Sequence, residues 1–250
     1  MIQHFRFGSP IRTDSVVQDI PVSSDAVPFL TADADGWVYT MAPDAIVYGL
    51  GEMPRGINKR GWHYVANNTD ESHHGENKVS YYGAHNFLLI DGGPGGDLFG
   101  VFVDFPGKVH YDIGYTVHDT LRFATEEPDY ELYILTGADP NDIAHQFRQL
   151  IGRSYIPPKW AFGLQQSRWG YKTAEDVREV ARQYKENDLP LDMICMDIDY
   201  MQDYADFTIN KERFPDLAAL AAELKAQGIR LVPIIDAGVR IDPEEPTCTE

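Results

Sequence analysis

The chain has 250 residues, 43% hydrophobic and 24% charged, so it is long enough to bury a core and belongs to neither the disordered nor the fibrous class. Its net charge of −18 argues against nucleic-acid and anionic-membrane partners, which are bound by clustered Lys and Arg. Cys195 and Cys248 form no spaced framework, and the N-terminus carries no apolar signal segment. No apolar run approaches the roughly 20 residues of a membrane helix. We therefore expect a soluble, cytoplasmic protein.

The first part of the chain predicts an antiparallel β-sandwich over roughly residues 1–136. Short runs of β-branched and aromatic residues alternate with Gly, Pro and Asp turns. The segment DGGPGG at 91–96 reads as one such turn, and no Lys-Ser/Thr or strand-to-helix context follows to indicate a phosphate site. The predicted strands are Gly36–Tyr39, Ala45–Leu50, Asn86–Ile90, Leu98–Phe105, Lys108–Tyr115, Leu121–Ala124 and Tyr130–Leu135.

Residues 137–160 are predicted to form a connecting helix and linker. Asp139 can cap the helix, Pro140 suits its first position, and Gly152 ends it. The stiff segment IPPKW that follows marks the expected domain boundary. The apolar face of the helix is predicted to carry Ile143, Phe147, Leu150 and Ile151.

Residues 161–250 show a βαβαβ pattern. Helices are predicted to begin at Thr173, with Asp176 completing a capping box, and at Ala218. Apolar strands alternating with helices are typical of a parallel sheet. A (β/α)8 barrel needs about 200–250 residues, so this segment is expected to be the truncated start of a barrel. The predicted strands are Ala161–Gln166, Met193–Asp199 and Ile229–Ile235.

Candidate ligand-binding residues follow these strands, where parallel α/β folds place their sites. They are Trp169, Asp197 with Asp199, and Asp236. Carboxylates accept hydroxyl hydrogen bonds and an aromatic ring covers the C–H face of a sugar, so the set suits a neutral polyhydroxylated ligand. Structural roles stay open for Asp199 as a loop anchor, Asp236 as a helix cap and Trp169 as a core residue. Asp197 is favoured as functional, because a carboxylate inside an apolar strand is costly unless it is paired.

Asp197 and Asp199 are not expected to be a catalytic pair. Two residues apart in a strand, they leave one face about 6.6 Å apart. That distance touches the lower edge of the roughly 6.5–9.5 Å carboxylate separation of inverting glycosidases. Both groups would approach a sugar from the same side, however, whereas an acid and a base must flank the scissile bond.

The segment NNTDESHHGEN at 67–77 is a second polar cluster. It contains Asp70, His73, His74 and Glu76, all of them residue types that ligate metals. Adjacent histidines point apart, and neither H-x-x-x-H nor H-x-x-E-H spacing occurs. The segment therefore favours a solvated loop, or a loop reaching over the barrel mouth, rather than a metal site.

Seven segments together resemble glycoside hydrolase family 31, the retaining α-glucosidases and their relatives. The resemblance runs from about Val47 to the end of the chain. It implies an N-terminal β-sandwich followed by a (β/α)8 barrel, and cleavage of α-glycosidic bonds at a non-reducing end through a covalent glycosyl-enzyme. No cofactor and no metal are expected. The segments are VYGLGE (47–52), NTDESHH (68–74), LFGVFVD (98–104), RWGYKTAEDV (168–177), DLPLDMICMDIDYMQDYADFT (188–208), FPD (214–216) and VPIIDAG (232–238).

The resemblance also implies roles for individual residues. Asp197 corresponds to the acid that binds hydroxyls of the glucose in subsite −1, and Ile198 to its apolar neighbour. Trp169 resembles an aromatic wall of the pocket, and Ile234 with Asp236 resembles the pair that ends the third strand.

The resemblance gives roles to three further residues. Asp70 resembles the sandwich-loop acid that contacts sugar, while Asp199 and Arg168 would support the contacting residues from behind. No catalytic residue is expected in this chain: the family's nucleophile lies in a W-x-D-M-N-E-type motif after the fourth strand and its acid/base later still, both beyond Glu250. None of the four tryptophans has that context: Trp37, Trp62, Trp160 and Trp169.

The sequence therefore predicts the N-terminal fragment of a cytoplasmic α-glucosidase acting on small α-linked gluco-oligosaccharides, inactive by itself. Alternatives are an α-xylosidase or an α-glycosyltransferase of the same family, a non-catalytic carbohydrate-binding fragment, and an acidic scaffold without a ligand. Self-association into a homo-oligomer stays open, because a barrel strand without a neighbour exposes an edge.

Overall fold

The computed structural model describes residues 1–239 and 241, which form two compact units. The first unit is Met1–Ser154, and the second begins at Tyr155. Cys248 lies outside the described residues. None of the helices in the described ranges is both long and apolar enough to cross a membrane.

The first unit is a sandwich of two five-stranded antiparallel sheets, so the predicted β-sandwich is confirmed. One sheet contains, in spatial order, β1 (Ile2–Phe7), β10 (Tyr130–Thr136), β7 (Leu98–Asp104), β6 (Ala84–Asp91) and β4 (Ile46–Gly51). The other contains β2 (Thr31–Asp33), β3 (Gly36–Thr40), β9 (Thr120–Thr125), β8 (Val109–Ile113) and β5 (Trp62–Ala66).

Strand β6 shows how the sandwich is packed. Leu88 and Ile90 are buried in the core between the two sheets, while Leu89 is buried in a separate cluster on the opposite face. This follows from the two-residue period of a strand, which sends alternate side chains to opposite faces. Both faces of this sheet are therefore covered, which is why the strand reads as a continuous apolar run.

Helix α1 (Pro140–Ile151) covers the outer face of that sheet. Asp139 caps it by accepting a 2.9 Å hydrogen bond from the N–H of Asp142, and Gly152 ends it with a φ of 89°. Ile151 was predicted on the buried face but is 39% exposed. At about 100° per residue it lies roughly 80° around the helix from Ile143, whereas Leu150 lies within about 20°.

Three strands were missed from the sequence: β1, β2 and β5. Each lies at the edge of its sheet, with a partner strand on one side only. Edge strands are half-solvated, and strand β5 begins with Trp62 and His63, both exposed. Their residue pattern is therefore mixed, and it gives a weaker signal than a central strand does.

The second unit contains a three-stranded parallel sheet in the order β11 (Gln165–Arg168), β12 (Met193–Met196) and β13 (Arg230–Pro233). Helices α2 (Ala174–Glu186) and α3 (Leu217–Ala226) connect the strands, so the predicted βαβαβ unit is confirmed. The predicted capping box is also present, with Thr173 and Asp176 bonded reciprocally. The core includes Val177, Ala181, Ile194, Leu220 and Leu224.

The strands of this sheet are shorter than predicted. The strand placed at Ala161–Gln166 is wrong: Lys159–Phe162 forms a 3-10 helix and β11 begins only at Gln165. Strand β11 (QQSR) is also polar and largely exposed, rather than apolar on both faces. The third strand ends at Pro233 instead of Ile235.

Candidate functional site

The carboxyl ends of the three parallel strands lie side by side. Arg168 pairs with Met196, and Met196 with Pro233. The next residue of each strand is therefore Trp169, Asp197 or Ile234, leaving neighbouring strands at the same level. This register brings three of the predicted site residues to one edge of the sheet.

Asp197 does not lie within a strand, which corrects the prediction of a strand over Met193–Asp199. Strand β12 ends at Met196, and Asp197 leads into a 3-10 turn over Ile198–Tyr200. Because a turn replaces the extended backbone, the strand geometry from which a separation of about 6.6 Å was calculated for Asp197 and Asp199 does not apply.

The carboxylate of Asp197 begins this turn. Its Oδ1 accepts a 2.8 Å hydrogen bond from the backbone N–H of Ile198, and the side chain is half-buried. No other hydrogen bond reaches this carboxylate within the described residues, which leaves Oδ2 able to accept a ligand hydroxyl. Ile198 itself packs, partly buried, against the core of the second unit.

Asp199 is buried beneath the same turn and is only 4% exposed. Its Oδ2 has no hydrogen-bond partner in the described part of the chain. Arg213 donates from Nη1 at 3.5 Å to the main-chain oxygen of Asp199 rather than to its carboxylate. A buried carboxylate oxygen without a donor is costly, so burial of this oxygen is expected to be destabilising.

Tyr200 joins the turn after β12 to the segment after β13, a role that the sequence did not predict. Its Oη donates a 2.8 Å hydrogen bond to the carbonyl oxygen of Ile234, whose own N–H donates to Met196 at 2.9 Å. Nearby, buried Asp206 accepts a 2.9 Å bond from the N–H of Gly238. Burial, followed by the charge of Asp206, raises the pKa of Tyr200.

The remaining predicted residues of the second unit are exposed. Trp169 is 67% exposed and Ile234 is 43% exposed. Arg168 lies in β11, and its guanidinium makes no ion pair or hydrogen bond to any described residue. Asp236 comes three residues after the last strand residue and has a φ of 54°, a left-handed conformation that Asp tolerates better than most residues.

Asp70 lies in the first unit, on the connection between β5 and β6, here called the 67–83 loop. The side chain is exposed, and its Oδ1 accepts a 2.8 Å hydrogen bond from the Oη of Tyr82. This bond raises the pKa of Tyr82. At the start of the loop, Asn68 accepts a 2.7 Å bond from the N–H of Ala84.

The two histidines of this loop have other contacts. His73 Nδ1 lies 2.9 Å from the hydroxyl of Ser72, and His74 packs against the rings of Tyr81 and Tyr82 with centroids 5.0 and 5.7 Å away. Across residues 1–239 and 241, no group of three or more His, Cys, Asp or Glu is placed to hold a metal ion.

Comparison with known proteins gives consistent matches along the chain. Residues 19–112 match the glycosyl hydrolase 31 N-terminal galactose mutarotase-like domain, and residues 154–250 match the glycosyl hydrolases family 31 TIM-barrel domain. The chain is 40% identical over 199 residues to alpha-glucosidase 2 of Bacillus thermoamyloliquefaciens, covering 79% of this chain and 25% of that protein. It is 32% identical over 219 residues to human intestinal sucrase-isomaltase, covering 86% of this chain and 12% of that protein.

Among solved structures, a mutant dextranase of Flavobacterium johnsoniae complexed with isomaltotriose is similar, with a TM-score of 0.70 and 26% identity. The match covers 84% of this chain and 25% of that one. The fold and the matches define a class, the sandwich-and-barrel glycoside hydrolases. The chain belongs to glycoside hydrolase family 31, and it spans about a quarter of the length of the Bacillus relative.

Proposed function

We propose that the chain forms part of the substrate-binding side of a retaining α-glucosidase that releases glucose from the non-reducing end of small α-linked oligosaccharides. The observation that supports this most directly is the register at the sheet edge, which places Asp197 between Trp169 and Ile234. The names of the relatives support it too, because an alpha-glucosidase is 40% identical over 199 residues.

In this proposal Asp197 accepts hydroxyl hydrogen bonds from the sugar ring through Oδ2, while Oδ1 keeps the turn in place. Ile198 supplies an apolar neighbour, and Trp169 covers a C–H face of a sugar. Ile234 and Asp236 line the site from the segment after β13. Carboxylate acceptors combined with an aromatic face suit a neutral sugar better than an anionic ligand, because they repel negative charge.

Asp70 is proposed to accept a further substrate hydroxyl, since its exposed carboxylate is already oriented by Tyr82. Asp199 and Arg168 are proposed to support the contacting residues. For Asp199, burial directly beneath the turn that carries Asp197 favours this supporting role over direct sugar contact.

The nucleophile and the general acid/base are proposed to lie outside this chain. Two observations support this: no Trp-x-Asp motif of the family type occurs in the sequence, and the Bacillus relative is matched over only 25% of its length. The 250-residue chain is therefore expected to bind sugar weakly and not to hydrolyse it.

The test compares the full-length gene product with the 250-residue chain. Both are assayed with 4-nitrophenyl α-D-glucopyranoside, the corresponding α-D-xyloside and maltose, and the first-formed anomer is followed by proton NMR. We expect α-glucose from the full-length product and no turnover by the chain. β-Glucose as the first product, a preference for the xyloside, or hydrolysis by the chain alone would each contradict the proposal. A full-length product that binds glucose without cleaving any substrate would support the carbohydrate-binding alternative.

We further propose a cytoplasmic location. Whether the protein forms a homo-oligomer is to be measured. The low cysteine content supports a reducing compartment. Cell fractionation tests the location, and light scattering of the purified full-length product measures its mass.

A further inference from the structure

One side chain outside the 67–83 loop connects that loop to strand β5. Arg55, from the connection between β4 and β5, donates from Nε to the carbonyl oxygen of Glu76 at 3.0 Å and from Nη1 to the carbonyl oxygen of His63 at 3.1 Å. Its guanidinium carbon lies 4.2 Å from the ring centre of Trp62 and 5.3 Å from that of Tyr64. The planar guanidinium group thus donates hydrogen bonds from its edge and stacks its face on aromatic rings. A lysine cannot reproduce this combination of contacts.

The backbone at Arg55 is itself unusual. Its φ is 66°, a left-handed conformation that is unfavourable for a residue with a Cβ. Such a conformation persists only where the surrounding contacts determine it, and it occurs often at functional sites. Here those contacts are the two carbonyl acceptors and the two aromatic rings.

A second cation lies beside this contact. Lys59 is only 6% exposed, and its Nζ is 5.8 Å from the ring centre of Tyr64. Burial lowers the pKa of Lys59, while the charge of Glu76 acts in the opposite direction. The charge of Glu76 thus acts on Lys59, in addition to the hydrogen bond that its carbonyl oxygen accepts from Arg55.

Further contacts within the 67–83 loop connect the segment around Glu76 to Asp70. Next to Glu76, the carbonyl oxygen of Gly75 accepts a 2.8 Å bond from the Oη of Tyr81, and the following residue, Tyr82, bonds Asp70 at 2.8 Å. Lys78 pairs with Glu71 at 2.7 Å, next to Asp70 in the chain. A displacement of Glu76 is therefore expected to disturb the segment of Tyr81 and Tyr82, and with it the hydrogen bond that orients the Asp70 carboxylate.

We propose that Arg55 is a positioning residue: by holding Glu76 it fixes the conformation of the 67–83 loop and so the orientation of the Asp70 carboxylate towards the sugar. The part concerning sugar rests on the proposed function. The part concerning the loop stands on the contacts of Arg55 alone, and the two parts are tested separately.

The loop is tested on the 250-residue chain by hydrogen exchange. We expect Arg55→Met to speed exchange roughly tenfold at the amides of Thr69 and Lys78, which donate to Tyr81 and Gly75. Arg60→Met is the matched control, because Arg60 lies in the same connection but donates to carbonyl oxygens outside the loop, at 42, 43, 45 and 118. Unchanged exchange in Arg55→Met, or an equal increase in the control, would overturn the proposal. If Arg55→Met fails to fold, Arg55→Lys is measured in its place, and unchanged exchange there would equally overturn it.

The link to substrate is tested by a double-mutant cycle in the full-length gene product. We expect Arg55→Met to lower kcat/KM roughly tenfold, and to have less than about a twofold effect in an Asp70→Asn background, since interacting residues are non-additive. Equal losses in the two backgrounds would mean that Arg55 does not act through Asp70. If Asp70→Asn alone leaves kcat/KM unchanged, the proposed sugar contact of Asp70 fails, while the exchange experiment still decides whether Arg55 holds the loop.

Discussion

The hydroxyl of Tyr200 donates a 2.8 Å hydrogen bond to the carbonyl oxygen of Ile234, which is 34 residues further along the chain. The bond joins the turn that carries Asp197 to the segment that carries Asp236. Both segments follow parallel strands, so this side chain adds a link between them beyond the last paired residues of the strands. Candidate residues on different strands depend on such links to stay in place.

Replacing Tyr200 by Phe removes this bond and leaves the Ile234 carbonyl without its donor. We expect the free energy of unfolding to fall by about 1 kcal/mol, which is typical of a single hydrogen bond. Urea unfolding of the 250-residue chain, followed by circular dichroism, measures the change. Tyr204→Phe is the control, because Tyr204 is 56% exposed and its hydroxyl has no partner among the described residues. Equal effects in the two variants would show that the bond is not stabilising.

One oxygen of the buried Asp199 carboxylate has no donor among the described residues, so its charge should be destabilising. We expect Asp199→Asn to raise the free energy of unfolding by about 1 kcal/mol, because a neutral amide of the same shape is less costly to bury. Asp206→Asn should have the opposite effect, since Asp206 is equally buried but accepts a 2.9 Å bond from Gly238. Urea unfolding of both variants gives the comparison. A loss of stability in Asp199→Asn as large as in Asp206→Asn would contradict the idea of a strained carboxylate.

Asp197 should contribute to transition-state binding through Oδ2, which accepts no hydrogen bond from the residues that the structure describes. In the full-length gene product we expect Asp197→Asn to lower kcat/KM by an amount equivalent to about 2–4 kcal/mol, as for a charged hydrogen bond to substrate. Steady-state kinetics with maltose measures it. Asp203→Asn is the control, because the Asp203 side chain is exposed and bonds the neighbouring Gln202 at 2.7 Å. An unchanged kcat/KM in Asp197→Asn would remove this residue from the site.

Trp169 is exposed at the end of the first strand and is a candidate determinant of linkage choice. We expect Trp169→Tyr to change the ratio of kcat/KM for maltose to that for isomaltose by several-fold, because a smaller ring covers less of a second sugar. Parallel assays of the full-length product give the ratio. Phe162→Tyr, at an exposed aromatic residue before the amino end of β11, should leave it unchanged. Equal ratios in Trp169→Tyr and the unmodified enzyme would discard the idea.

The 67–83 loop should lose protection in acid. A hydrogen bond from Lys78, and then one from the N–H of His73, lowers the pKa of Glu71 below its ordinary value of 4.5. A carboxyl group whose pKa is lowered on folding stabilises the fold above the unfolded value, and the contribution is lost as the pH falls through the lowered value. We therefore expect the His73 amide to exchange faster, relative to its intrinsic rate, as the pH falls below 4.5. In Glu71→Gln this dependence should disappear, and its persistence would assign the effect to another group.

Local features of this protein were readable from its sequence. The helix that starts at Thr173 was predicted with its capping box, because both partners lie within three residues of each other. In the second unit the order of strands and helices followed from apolar periodicity, and the family motifs identified Asp197 and Asp70 as candidates. Each of these signals is contained in a short stretch of chain, where residue type determines backbone preference.

The tertiary structure decided what depends on distant neighbours. Where β12 ends could not be read from the apolar residues around Met196, because its length is set by pairing with β11 and β13 on either side. Arg55, Tyr82 and Tyr200 carried no signal, since each acts on a residue 8 to 34 positions away. Sequence patterns report the preferences of neighbouring residues, whereas hydrogen bonds across loops arise only after chain folding has brought separate segments within about 3 Å.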